Sequence, residues 1–117
     1  MTWYLTLYPP PPRPEPIPAQ PVIDYLAAQP ELRRSEPYEF ESAAGLPWLR
    51  VIVAETGPGG GYAYAVGAAA PERIDLVELL CGDGGPPDWY EELACRIAAE
   101  LDWVAVEESE ERQIWPR

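Results

Sequence analysis

Asp88-Trp89-Tyr90-Glu91-Glu92-Leu93-Ala94-Cys95-Arg96-Ile97-Ala98-Ala99-Glu100-Leu101-Asp102-Trp103-Val104-Ala105-Val106 changes its hydrophobic period partway along. Trp89, Leu93, Ile97 and Leu101 recur every fourth residue, and Tyr90, Ala94 and Ala98 widen the stripe, the pattern of a helix that lays one face on a core. Asp88 followed three residues later by Glu91 has the form of a capping box, and acids in the first turn suit the positive end of the helix dipole. Glu92, Arg96 and Glu100 fall on the opposite side at i,i+4 spacing, and Cys95 falls with them. After Asp102 the pattern becomes that of a strand over Trp103-Val104-Ala105-Val106. A helix delivered directly into a strand must pack on the sheet that the strand joins, so the chain belongs to a mixed class.

Upstream, residues 74–81 read as another strand, followed by the turn Gly82-Asp83-Gly84-Gly85-Pro86-Pro87. Residues 48–54, rich in β-branched side chains, have the composition of a central strand. Gly45 and Pro47 turn it back on residues 38–42, where Tyr38, Phe40 and Ser42 face one way and Glu39 and Glu41 form an acidic outer face; these two runs are expected to form a hairpin. Pro21 suits a first helical position, and Val22, Tyr25, Leu26 and Gln29 continue at helical spacing until Pro30. Trp3, Leu5 and Leu7 alternate with Tyr4, Thr6 and Tyr8, a half-buried first strand. Between them, residues 9–21 hold eight of the sixteen prolines and form an extended connector, either a stiff crossing from strand to helix or a ligand for a proline-recognising groove. The expectation is one α+β domain over residues 1–117, in β-α-β-β-β-α-β order as in ferredoxin-like folds. Its antiparallel-rich sheet has about five to six strands, with two helices on one face.

The chain has 117 residues, 20 acids against 8 arginines, no histidine and no lysine, for a net charge of −12. Without histidine or lysine there is no Ser-His or Cys-His pair, no histidine metal site, no Schiff-base lysine and no P-loop lysine. Gly57-Pro58-Gly59-Gly60-Gly61 lacks the Gly-Lys-[Ser/Thr] of a phosphate loop and leads into the alternating Tyr62-Ala63-Tyr64-Ala65-Val66, so it reads as a hairpin tip. Neighbouring glutamates follow no cation-loop spacing. Cys81 and Cys95 are too few for a disulfide framework, and the N-terminus lacks a basic segment followed by an apolar run, so export is not expected and both thiols are expected reduced. No catalytic residue, cofactor or metal is expected. The acidic balance disfavours direct nucleic-acid binding, and no run is apolar enough to span a membrane.

From Asp88 to Glu111 nine acids oppose the single Arg96. A field of one sign steers association with an oppositely charged partner, and it also serves solubility. The candidate contact residues are Glu91, Glu92, Glu107, Glu108, Glu110 and Glu111, joined by Glu39 and Glu41 on the outer strand. Trp115 is added as an aromatic beside charge. Trp3, Trp48 and Trp89 are expected in the core.

The opening Met1-Thr2-Trp3-Tyr4-Leu5-Thr6-Leu7, the helix Trp89 to Ala98 and the strand Leu101 to Val106 resemble the small bacterial immunity proteins of polymorphic toxin systems. The resemblance implies a cytoplasmic protein that binds a cognate, basic toxin domain and occludes its active site without catalysis of its own. Two other readings are an acidic DNA-mimic inhibitor of a nucleic-acid-binding protein and a self-associating structural module.

Overall fold

Strand β1 (Trp3–Tyr8) turns Leu5 and Leu7 to one side, where both are completely buried. In the computed structural model, which describes residues 2–11, 15–56 and 69–116, the further elements are β2 (Ile17–Pro18), α1 (Ala19–Ala27), β3 (Leu32–Glu36), β4 (Glu39–Ser42), β5 (Leu49–Ala54), β6 (Arg73–Ile74), β7 (Leu76–Cys81), α2 (Pro87–Leu101), β8 (Val104–Glu107) and β9 (Arg112–Trp115). The glycine cluster and the strand expected over residues 62–66 lie outside the described residues.

Seven strands form one sheet in the order β3-β4-β5-β7-β1-β8-β9, with every neighbouring pair antiparallel. The α+β class with two helices is as expected, and the expected hairpin is the β4–β5 pair, Phe40 opposite Val51. The strand count exceeds the expected five to six because β3 and β9 extend the edges and β2 with β6 adds a two-stranded ladder. Antiparallel pairing makes β7 and β8 run the same way with β1 between them, so α2 crosses over the strand it covers. The crossover β1-α1-β3 likewise spans β7, β5 and β4.

Register rows define the two faces. Leu5, Leu79 and Val51 share one row, and Leu7, Val77 and Val53 the next. All are buried in the core with Val22, Ile23 and Leu26 of α1 and Leu93, Ile97 and Ala98 of α2. Burying each large aliphatic side chain contributes roughly 1.5–3 kcal/mol, so these rows hold the helices to the sheet.

Local details correct the sequence reading at four points. Helix α2 begins one residue earlier than expected, with Pro86 as N-cap, Pro87 as first helical residue and no side-chain cap. Proline at the first helical position starts the helix ahead of Asp88, which therefore sits within the first turn and not at the cap, so the capping box does not form. Likewise α1 begins at Ala19, two residues before Pro21. The end of the proline-rich connector is held in place: Ile17 pairs with Ile74, Ala19 N–H donates to the Glu72 carbonyl, and Arg73 donates to the Pro16 carbonyl. Arg96 reaches from α2 to Glu31 at 2.5 Å rather than pairing within the helix.

The connection from β7 to α2 is fixed by Tyr90. Its buried hydroxyl donates to the Trp48 carbonyl at 2.6 Å and accepts from the Gly82 N–H at 3.4 Å. The rings of Trp3 and Trp89 meet the Tyr90 ring edge-on at 5.5 and 5.1 Å. Gly85 closes against this group: a Cβ there would lie 2.6 Å from Pro47 Cβ and 2.7 Å from the Tyr90 hydroxyl. Tyr90→Phe keeps the packing but strands the Trp48 carbonyl, so urea unfolding should show a loss of about 1–3 kcal/mol. A loss within error would mean that water replaces the bond.

Candidate functional site

The strand registers bring much of the molecule's charge to one end of the sheet. Leu49 and Trp3 both pair with Cys81, and Leu5 pairs with both Leu79 and Glu107. The start of β5, the ends of β7 and β8 and the start of β9 therefore lie at one level. Beyond that level project the β4–β5 loop (43–48), the β7–α2 loop (82–86), the first turn of α2 and the β8–β9 turn (108–111). Asp83, Asp88, Glu108, Glu110 and Glu111 stand there, all exposed. Arg112 stands there, held by Glu91 at 2.9 Å, and Arg50 and Arg33, on the Tyr4 row of the sheet, are paired with Glu39 and Glu41.

The expected contact residues divide into groups with different tasks. Glu108, Glu110 and Glu111 are exposed in the β8–β9 turn, where Glu111 adopts a left-handed backbone at φ 51°. Glu92 is exposed on the outer side of α2. Glu107, expected at the surface, is only 6% exposed: its carboxylate accepts the Ser109 hydroxyl, the Ser109 N–H at 3.0 Å and the Glu110 N–H at 3.1 Å. It is the brace of the turn that presents its neighbours. Glu91 lines a cleft of about 280 Å³ with Trp3, Glu107, Glu110 and Arg112.

Glu39 and Glu41 do not form a free acidic outer face, because both are paired with arginines. Glu39 is 6% exposed and is held by Arg50 at 3.4 Å and by the Ser35 hydroxyl at 3.1 Å. Glu41 pairs with Arg33. Trp115 lies at the far end of β9 and packs on the core, whereas Trp48, expected inside, is 48% exposed. Trp48 is thus the more exposed of the two, the reverse of the burial that the sequence suggested. The signal for Trp48 was its place directly after the Gly45/Pro47 turn, where a side chain enters a strand from a loop.

Among the described residues no three His, Cys, Asp or Glu side chains gather as a metal-holding group. Burial, with Glu107 and Glu91 nearby, pushes the Cys81 thiol up to about 12. Cys95, expected on the polar side of α2, is buried, its thiol donating to the Ile114 carbonyl at 3.5 Å; β9 covers that flank of the helix. A second cleft of about 310 Å³, lined by Ile17, Val22, Tyr25 and Leu101, lies toward the opposite end, where α2 finishes. No helix among the described residues is long and apolar enough to cross a membrane.

Two measurements check this arrangement. The Ser109 hydroxyl, the turn amides and Arg112 hold the Glu107 carboxyl below its ordinary value of 4.5. A depressed carboxylate contributes stability that is present above the unfolded value and lost as pH falls through the folded one. Unfolding free energy should therefore fall more steeply below about pH 4.5 in the wild type than in Glu107→Gln, converging in acid; parallel profiles would remove Glu107 as the brace. Both thiols should resist an aromatic disulfide reagent in the native protein and react together once denaturant unfolds it, since burial disfavours the thiolate that attacks. Compared with known proteins, the chain matches no family model, no curated protein and no solved structure.

Proposed function

We propose that the protein is an immunity-type inhibitor, which binds a basic partner domain through the acidic end of its sheet and blocks that partner's active site without chemistry of its own. The observation that carries this reading is the convergence of Asp83, Asp88 and the Glu108–Glu111 turn on one end whose described arginines, Arg33, Arg50 and Arg112, are each already paired with a glutamate. Carboxylates so arranged attract a cationic surface from a distance and disfavour nucleic acid as a direct ligand. Rigid presentation supports the same reading: Glu107 fixes the turn and Tyr90 fixes the loops beside it, which reduces the ordering cost of association. Cytoplasmic residence and a toxin domain as the partner follow from the resemblance noted in the sequence.

Reversal of Glu92, Glu108, Glu110 and Glu111 to arginine tests the assignment, because none belongs to the core. Wild type and variant are used in parallel to capture proteins from the host lysate as salt rises. The expected result is one basic protein retained at moderate salt by the wild type alone, with its activity lost on adding an equimolar amount of wild type. Equal retention by both would end the assignment of this surface. Displacement of the partner by its own nucleic acid would support a DNA-mimic reading instead.

A further inference from the structure

Large apolar side chains are left exposed at three places among the described residues: Tyr4 at 40%, Leu46 at 39% and Trp48 at 48%. All three lie at the acidic end of the sheet. Leu46 and Trp48 belong to the β4–β5 loop, and Tyr4 is the second residue of β1, its carbonyl accepting the Glu108 N–H at 3.1 Å. Single exposed apolar residues are ordinary, but a gathering of them within a charged rim has the anatomy of a contact surface.

Trp48 is the best placed of the three. Its carbonyl is held by the Tyr90 hydroxyl at 2.6 Å, and its ring lies over Gly82, where a Cβ would come within 3.4 Å of Cε3. The indole is thus fixed from below while nearly half of its surface faces solvent. Three strand spacings separate β5 from β8, roughly 15 Å, so Trp48 and the Glu108–Glu111 turn fit beneath one partner surface. Asp83 stands exposed in the loop that passes beneath the ring, and Arg50 is already held by Glu39 at 3.4 Å. An indole so placed, on the acidic end of the sheet, favours a cation over an apolar insert, and arginine over lysine, because guanidinium stacks on the ring and sheds water more readily.

We infer that Trp48, with Leu46 beside it, is the anchor of the partner contact, receiving an arginine side chain from a basic segment of the partner while the Glu108–Glu111 turn receives that segment's other cations. This rests on the reading of the acidic end as a protein-binding surface and names the residue at its centre.

Nuclear magnetic resonance of the full chain tests it with nona-arginine as probe and nona-lysine as comparison, both at low salt. The Trp48 indole N–H signal is assigned by its disappearance in Trp48→Phe. On adding nona-arginine, that signal and the amides of residues 108–111 should shift together. Trp48→Ala should weaken binding about tenfold, with Trp48→Phe retaining most of it and nona-lysine binding more weakly than nona-arginine. Leu46→Ser, outside the core, repeats the test should Trp48→Ala fail to fold, and should weaken binding in the same direction. If the turn amides shift while the Trp48 indole stays in place, the anchor is wrong and the acidic surface stands. If neither moves, both fall.

Discussion

β1 is threaded between the two strands that α2 connects, and the sheet has no centre until it is there. Its Leu5 and Leu7 are completely buried, and its backbone is bonded on one side to β7 and on the other to β8. These partners lie in the second half of the chain. The sheet therefore closes only after long loops have been brought together, an arrangement associated with slow, late folding. The same threading fixes the level at which β5, β7, β8 and β9 begin or end. Three connections that are distant in sequence are thereby delivered to one end of the molecule, with their carboxylates and aromatic rings at defined spacings.

Sequence periodicity revealed the parts of this arrangement that bury a face. Alternation in β1, the β4–β5 pair, the apolar run of β7 and the four-residue stripe of α2 each reflect contact with the core, and each was legible. The edge strands were not. Arg33, Arg34 and Ser35 of β3 and Arg112 and Gln113 of β9 are exposed, so their backbones are paired while their side chains carry no hydrophobic period. Missing β9 had a further consequence at Cys95, because the wall that buries it comes from that strand. At the candidate site the clustering of acid was readable, but the division of labour among the glutamates depended on the turn they form.

That division separates residues of identical type only a few positions apart. Glu107 spends its acceptor capacity on backbone and hydroxyl hydrogens, so its charge is compensated inside the fold. Glu108, Glu110 and Glu111 remain in solvent, where water and salt weaken their mutual repulsion. A partner's cations would replace the counterions around them. Tyr90 performs the corresponding work for the neighbouring loops: one buried hydroxyl holds a carbonyl from the β4–β5 loop and an amide from the β7–α2 loop.

Both edges of the sheet are short and irregular. β3 shifts register between Arg34 and Glu36, and β9 pairs with β8 across a shift between Ala105 and Val106. Pro116, which has no amide hydrogen, follows β9 directly. Edges of this kind offer a poor template for an added strand. Recognition by extension of the sheet, in which a peptide borrows backbone hydrogen bonds and tolerates many sequences, is thereby discouraged. On the proposed reading, discrimination would fall to side-chain chemistry at the strand ends, where a related partner differing by a few charges would be refused.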